Sequence, residues 1–253
     1  MGPVTLKDVV LGEGRTKVIV PITGRTADEL VAQASTLAAH DLDIVEWRVD
    51  FLSDALDIDA VLAVGARVVE ALQGRPVLFT FRTKGEGGQQ EIDPAQYVAI
   101  NTAVIESGLI DAVDVEQFYD TAAGNAVIAA AKAKGVAVVG SNHDFHATPP
   151  AEVIVERLVA MQDRGCDIAK MAVMPQKAGD VLTLLNATWT MASEHPRTPV
   201  LTMSMSGVGV ISRIAAQVVG SCATFAMVGR ASAPGQVPVE DLQPILALLD
   251  ANL

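Results

Sequence analysis

Residues 17–37 read KVIVPITGRTADELVAQASTL, a run whose hydrophobic period changes once. Lys17 to Ile22 is β-branched and apolar enough for a strand, and Gly24 breaks it. Thr26-Ala-Asp-Glu29 then has the form of a capping box, opening a helix with Leu30, Ala34 and Leu37 on one face. This is one β/α unit. The pattern recurs along the chain, with further strands predicted near 42–49, 76–82, 111–116, 136–142, 167–172, 199–204 and 222–228. Helices follow most of them, opened by punctuation such as Asp93-Pro94 and Pro149-Pro150. Repetition of this kind predicts an α/β fold closed as a (β/α)8 TIM barrel. An open doubly wound sheet fits less well, because no Gly-x-Gly-x-x-Gly turn follows the first strand. Residues before Lys17 would form a short extra element, a hairpin closing the barrel bottom. Residues 1–253 read as a single domain, since α/β barrels of roughly 200–250 residues fold as one.

Composition narrows the function. With 18 Lys+Arg against 30 Asp+Glu the formal net charge is −12, which repels a phosphate backbone and argues against nucleic acid as a partner. Half of the residues are hydrophobic and spread evenly, so the chain can bury a large core. The amino terminus lacks the basic-then-apolar pattern of a signal peptide. The longest weakly polar stretch, Ile214 to Gly229, is too short and too polar to cross a membrane. Cys166 and Cys222 each sit in an apolar segment, as buried thiols of a reducing compartment do, and the chain reads as cytoplasmic.

In such a barrel the active site lies at the carboxyl ends of the strands. Glu46 and Arg48, two apart, share the inward face of the second strand, while Val45, Trp47 and Val49 face the helices. The third strand ends Thr80-Phe-Arg82, the fourth Asp114-Val-Glu116 and the fifth Ser141-Asn-His143. Ion pairs among Glu46, Arg48, Arg82 and Glu116 would be a purely structural use of these groups. Lys170, inside Ile168-Ala-Lys-Met-Ala-Val173, has no easy route to solvent, and burial near arginines would favour the free amine that Schiff-base chemistry on a ketone requires. His143 and His146 diverge at a strand end, so a metal pair fits poorly. Proton transfer beside Lys170 fits better, with Glu86 or Asp144 orienting the His143 ring. Ser206-Gly-Val-Gly209 and Ala231-Ser-Ala-Pro-Gly-Gln236 complete the rim. They suit either a phosphate or, with the Arg213 fork, a carboxylate bonded also by Ser232 and Gln236. Arg48, Arg82, Arg213 and Lys170 would then converge on one mouth and set its potential despite the acidic exterior.

Taken in order, Glu46-Trp-Arg48-Val-Asp50, Thr80-Phe-Arg82 with Glu86-Gly-Gly88, Ser141-Asn-His143-Asp-Phe145, Lys170-Met-Ala172, Met203-Ser-Met205 with Ser212-Arg213, and Ala231 to Gln236 resemble the type I 3-dehydroquinate dehydratase family across nearly the whole chain. The resemblance implies a (β/α)8 barrel, usually a homodimer, that dehydrates 3-dehydroquinate to 3-dehydroshikimate in the shikimate pathway, with neither metal nor organic cofactor. It implies that Lys170 is the Schiff-base lysine, His143 the general acid/base and Glu86 its partner. Glu46, Arg48, Arg82, Arg213, Ser232 and Gln236 correspond to the substrate-binding set. One position departs: the family pattern has a substrate-contacting serine at the end of the first strand, where this chain has Pro21 followed by Thr23. The alternatives are a class I aldolase-like lyase, using the last two loops for a sugar phosphate, and a non-catalytic carboxylate-binding barrel.

Overall fold

Alternation along extended chain sends successive side chains to opposite faces, and here one face is apolar on every strand. The computed structural model describes residues 2–253. A hairpin of β1 (Val4–Leu6) and β2 (Val9–Leu11) comes first. Eight parallel strands follow: β3 (Lys17–Ile22), β4 (Ile44–Arg48), β5 (Val77–Thr80), β6 (Ala112–Glu116), β7 (Ala137–Asp144), β8 (Ile168–Val173), β9 (Val200–Ser204) and β10 (Ala223–Met227). They lie side by side in chain order, with β10 returning beside β3. The ring closes where Val200 bridges Ser221 and the Cys222 amide donates to the Val200 carbonyl at 2.8 Å. The fold is a (β/α)8 barrel. A two-residue strand, β11 (Val237–Pro238), adds to the outer side of β10.

The intervening helices are α1 (Ala27–Leu37), α2 (Ile58–Ala71), α3 (Pro94–Ser107), α4 (Thr121–Lys134), α5 (Ala151–Asp163), α6 (Ala178–Glu194), the short α7 (Val210–Ile214) and α8 (Val239–Asp250). Leu30, Ala34 and Leu37 are the buried face of α1, as the period requires. The start signals work in different ways. Thr26 caps α1 by accepting from the Glu29 amide at 3.3 Å, but the Glu29 carboxylate takes the Arg25 amide and leaves the box incomplete. Asp93 forms a reciprocal box with Gln96, and Pro94 occupies the first turn. Pro150 is itself the cap of α5, with extended backbone at ψ 150°, rather than a first-turn residue.

Outward residues such as Val18, Val20, Val45, Trp47, Phe79 and Val113 pack against the helices. Inward, Ile19, Ile44, Leu78, Ala112, Val139, Ile168, Leu201 and Ala223 fill the barrel floor. Leu6 and Leu11 of the hairpin plug that floor from below, in the position predicted for the extra element. The site therefore has a solid base and opens only at the other end.

Leu11 is almost fully buried in this plug. Leu11→Ala is expected to cost about 2–5 kcal/mol, since the barrel wall cannot collapse into the gap. Urea unfolding measures it, and an unchanged midpoint would show that the hairpin carries no core packing.

Candidate active site

Two residues beyond the apolar floor the inward positions turn polar: Glu46, Thr80, Asp114, Ser141 and Lys170. Two further on stand Arg48, Arg82, Glu116 and His143. All nine residues singled out from sequence, Lys170, His143, Glu86, Glu46, Arg48, Arg82, Arg213, Ser232 and Gln236, line one cleft of about 590 Å³ at the carboxyl ends of the strands. Phe145, Ala172, Met203, Met205 and Phe225 complete its apolar wall.

Lys170 is 3% exposed, and its Nζ lies 3.0 Å from Asp114 Oδ2, 3.6 Å from Glu46 Oε1 and 4.8 Å from the centre of the Phe225 ring. The sequence placed this amine among arginines; the structure gives it two carboxylates. Asp114 Oδ2 also takes Arg82 Nη2 at 2.9 Å, and Oδ1 accepts from Ser141 Oγ at 2.6 Å. Burial alone would push Asp114 up, but Arg82, then Lys170 and the hydrogen bonds, hold it below the ordinary carboxylate range.

Arg82 reaches Glu116 Oε1 at 2.8 Å with the Nη1 that also donates to Ser141 Oγ. Despite burial, Asp114, Glu116, Glu86 and Glu46 together raise its pKa. Glu116 is further fixed by the amide and hydroxyl of Thr83. Arg48 does not pair with Glu46. It forms a bidentate pair with Asp50 at 2.8 and 2.9 Å and stacks on Phe51. Of the structural pairings open to these residues, only Arg82 with Glu116 forms.

His143 stands one residue pair above Lys170, because Ser141 registers with Lys170 and His143 with Ala172. Glu86 reaches it from the turn at 84–86. There Gly87 (φ +87°) and Gly88 let the chain press on Phe145 and on the Arg82 carbonyl, where a Cβ would clash. Glu86 Oε2 accepts both the His143 amide and Nδ1 at 2.9 Å. With Glu86 ionised, Nδ1 must donate to it, and the neutral ring then keeps its lone pair on Nε2. Burial, then Arg82, Lys170 and Arg48, holds the imidazole well below 6.5, so it is neutral near pH 7. Burial pushes Glu86 up to about 7 against the pull of Arg82. Asp144, the other candidate partner, instead accepts the amides of His146 and Ala147.

Arg213 differs from the other cations. Ser212 pins its helix to the end of β9 by accepting from the Ser204 amide and donating to the Gly209 carbonyl. The guanidinium is buried and donates to the carbonyls of Phe225 (3.4 Å) and Pro234 (3.2 Å). Its Nε has no partner, no carboxylate lies within 4.0 Å among the described residues, and burial lowers its pKa to about 10. A buried arginine short of an anion can accommodate one. The loop it holds folds on itself, with the Ser232 amide and Oγ bonded to the Gln236 side chain.

Sequence reasoning placed Asp114 and Ser141 at strand ends and Asp50 in a motif but gave none of the three a role in the site. The signal was present, since Asp114-Val-Glu116 and Ser141-Asn-His143 show the same two-residue spacing as Glu46-Trp-Arg48. Pro21 and Thr23, by contrast, border a separate cavity with Arg25, Gln33 and Arg230, so the Thr23 hydroxyl does not take the place of the family's serine in the cleft.

The family model for type I 3-dehydroquinase matches residues 18–252. A 3-dehydroquinate dehydratase of Salmonella choleraesuis (strain SC-B67) is 47% identical over 98% of this chain and 99% of its own. The crystal structure of a type I 3-dehydroquinate dehydratase from Clostridium difficile superposes with a TM-score of 0.96 at 41% identity, covering 100% of this chain and 99% of that one. The 3-dehydroquinate dehydratase of Enterococcus faecalis gives 0.91 at 40% identity, over 97% and 99%.

The unfolded chain takes up a proton on His143 near 6.5 while the folded one does not, so this residue lowers stability as pH falls below that value. Glu86 acts oppositely: its contribution is present below 4.5 and lost as pH rises through about 7. In nitrogen-edited NMR, His143 is expected to show a neutral ring with the proton on Nδ1 at pH 6. A proton on Nε2 would overturn the tautomer, and a titration midpoint at or above the 6.5 of an unperturbed ring would overturn the burial argument.

Proposed function

Because the chain belongs to the type I 3-dehydroquinase family, we propose that it dehydrates 3-dehydroquinate to 3-dehydroshikimate through an imine on Lys170, with His143 as general acid and base. The observation that carries this reading is the convergence of three functions on one cleft: a buried amine, a neutral imidazole oriented by a carboxylate, and an arginine lacking an anion.

The chemistry needs all three. A proton alpha to a ketone is hard to remove because the resulting electron pair has no sink, and a protonated imine provides one. Lys170 Nζ adds to the ketone carbon, and the carbonyl oxygen leaves as water with proton transfer assisted by His143. Nε2 of His143 then takes the alpha proton, giving an enamine. The enamine pair expels the beta hydroxyl, which leaves as water with the proton from His143. Hydrolysis of the product imine frees Lys170. Glu86 keeps Nε2 aimed at the cleft by holding Nδ1. Arg213 receives the substrate carboxylate, Ser232 and Gln236 close over it, and Glu46, Arg48 and Arg82 fix the ring hydroxyls. The Clostridium difficile relative was crystallised with covalently modified comenic acid, which supports covalent chemistry in a fold of this kind.

A sugar-phosphate lyase would use backbone amides of the last two loops. Those of Ser206, Gly209 and Ser232 are already bonded to Pro234, Ser206 and Gln236, which favours a carboxylate at Arg213. In this reading residues 1–253 act as one domain and the enzyme is cytoplasmic; no described helix is long and apolar enough to cross a membrane. It acts as a homodimer, for which exposed Leu182, Trp189, Ile211 and Val218 offer apolar surface.

Borohydride added with 3-dehydroquinate is expected to leave a mass adduct on Lys170; an unmodified Lys170 would sink the imine. Lys170→Ala should bind substrate yet lose turnover by several orders of magnitude. His143→Ala should lose roughly 10²–10⁴-fold in kcat, and a native kcat would remove His143 from the mechanism. For Arg213→Ala a raised KM is expected, by about 2–5 kcal/mol in binding. Unchanged affinity would make Arg213 a structural residue.

A further inference from the structure

The nitrogen that carries the chemistry has a neighbour the cleft never touches. Asp114 is 1% exposed and absent from the cleft lining, yet its Oδ2 is 3.0 Å from Lys170 Nζ, nearer than the Glu46 carboxylate at 3.6 Å. It comes from β6, two strands from Lys170, and lines no part of the cleft that holds Nζ. We propose that Asp114 is the permanent counter-ion of the Lys170 nitrogen, keeping the imine formed there protonated until the hydroxyl has left. The proposal rests on the imine reading above and adds a residue to it.

The charge on Nζ changes during that reaction. When Nζ adds to the ketone and the carbonyl oxygen leaves as water, the nitrogen keeps one proton and a positive charge. Removal of the alpha proton sends the C–H pair into a carbon–carbon double bond and the imine π pair onto nitrogen, which becomes neutral. As the hydroxyl departs with its C–O pair and the His143 proton, the nitrogen pair returns and the charge reappears. A group that favours the charged nitrogen holds the sink open; an imine that lost its proton would offer none.

The bonding of Asp114 suits this part. Oδ2 is shared between Lys170 Nζ and Arg82 Nη2, and Oδ1 is held by Ser141 Oγ. Arg82 keeps the carboxylate paired during the step in which the nitrogen is neutral, so the buried anion is never alone. The charged and titratable groups around Nζ are Asp114 on β6, Glu46 on β4 at 3.6 Å, His143 on β7, and Arg82 just past β5 through the shared oxygen, with the Phe225 ring of β10 beside them. Glu46 is farther away, lines the cleft, and its Oε1 nearest the amine already accepts from Thr80. Asp114 is held as the anion by two cations and is too weak a base to take the amine's proton, so it acts by its charge.

The test compares Asp114→Asn and Asp114→Glu with the native enzyme in the pH profiles of kcat and kcat/KM for 3-dehydroquinate. In Asp114→Asn the alkaline limb of kcat is expected to move down by about one to three pH units, and in Asp114→Glu to return toward the native position. A merely structural loss lowers the whole curve without displacing it, and an unmoved limb in a folded Asp114→Asn overturns the counter-ion. Native protein carrying nitrogen-labelled lysine, held at substrate equilibrium, provides a second reading that needs no variant to fold. Its imine signal is expected to stay protonated at about pH 9, and a deprotonated imine there overturns the proposal. Absence of a borohydride adduct in native enzyme defeats the imine itself. An adduct with an unmoved limb defeats Asp114 alone.

Discussion

The barrel interior has to hold ionised groups where water cannot reach them, and the pairing of Arg82 with Asp114 and Glu116 makes this workable. A cation buried without carboxylates, or a carboxylate without cations, costs several kcal/mol. Here Arg82 bridges β5 to β6, Asp114 passes the connection on to Lys170 of β8, and Ser141 of β7 bonds both members. Two links come from β6 and one each from β7, β8 and the segment just past β5, so no single element carries the network. Removing one member would leave its partners charged and dry, whereas the apolar floor beneath would lose only contact area.

Alternation of side chains is what allows charge and core to share the same strands. On β6, Ala112 belongs to the apolar floor and Asp114 and Glu116 to the polar rings above it, while Val113 and Val115 pack outward on helices. The hairpin plug and the helix layer supply burial, and the upper half of the barrel can hold groups whose value lies in chemistry. His143 shows the exchange clearly. Its ring is held neutral by burial and by nearby cations, at a cost to stability in acid.

Much of this was legible in the sequence. The strand positions followed from β-branched runs, and Lys170 stood out because a lysine amid Ile-Ala and Met-Ala-Val has nowhere to go. What stayed hidden were partnerships that depend on barrel closure and stagger. Glu46 and Arg48 share a face, which suggested mutual pairing, but the strand's twist and the turn at 49–51 bring Asp50 back under Arg48 instead. Asp114 looked like a rim residue because its distance from Lys170, 56 positions along the chain, cannot be read from spacing. Pro21 shows the opposite limit: residue type flagged a difference, and only the structure shows that Thr23 beside it faces another cavity.

The charges of the cleft resolve a tension set up by composition. Four cations, Arg48, Arg82, Lys170 and Arg213, suggested a positive mouth on an acidic protein. In the folded chain the first three are matched by Asp50, Asp114, Glu116 and Glu46, so they contribute little free positive potential. The net field of the site is therefore a poor guide to what it binds. In the proposed reading, recognition falls to the cation that the fold leaves without a carboxylate. Arg213 is buried, bonded only to two carbonyls, and has an Nε without a partner. An arriving carboxylate gains there both a charge partner and a fixed fork geometry, which hydrated arginines on the surface do not provide. On the proposed function, discrimination would arise from a pairing the protein withholds from itself, and the acidity of the remaining surface is compatible with an anionic ligand because such a contact is short-ranged and dry.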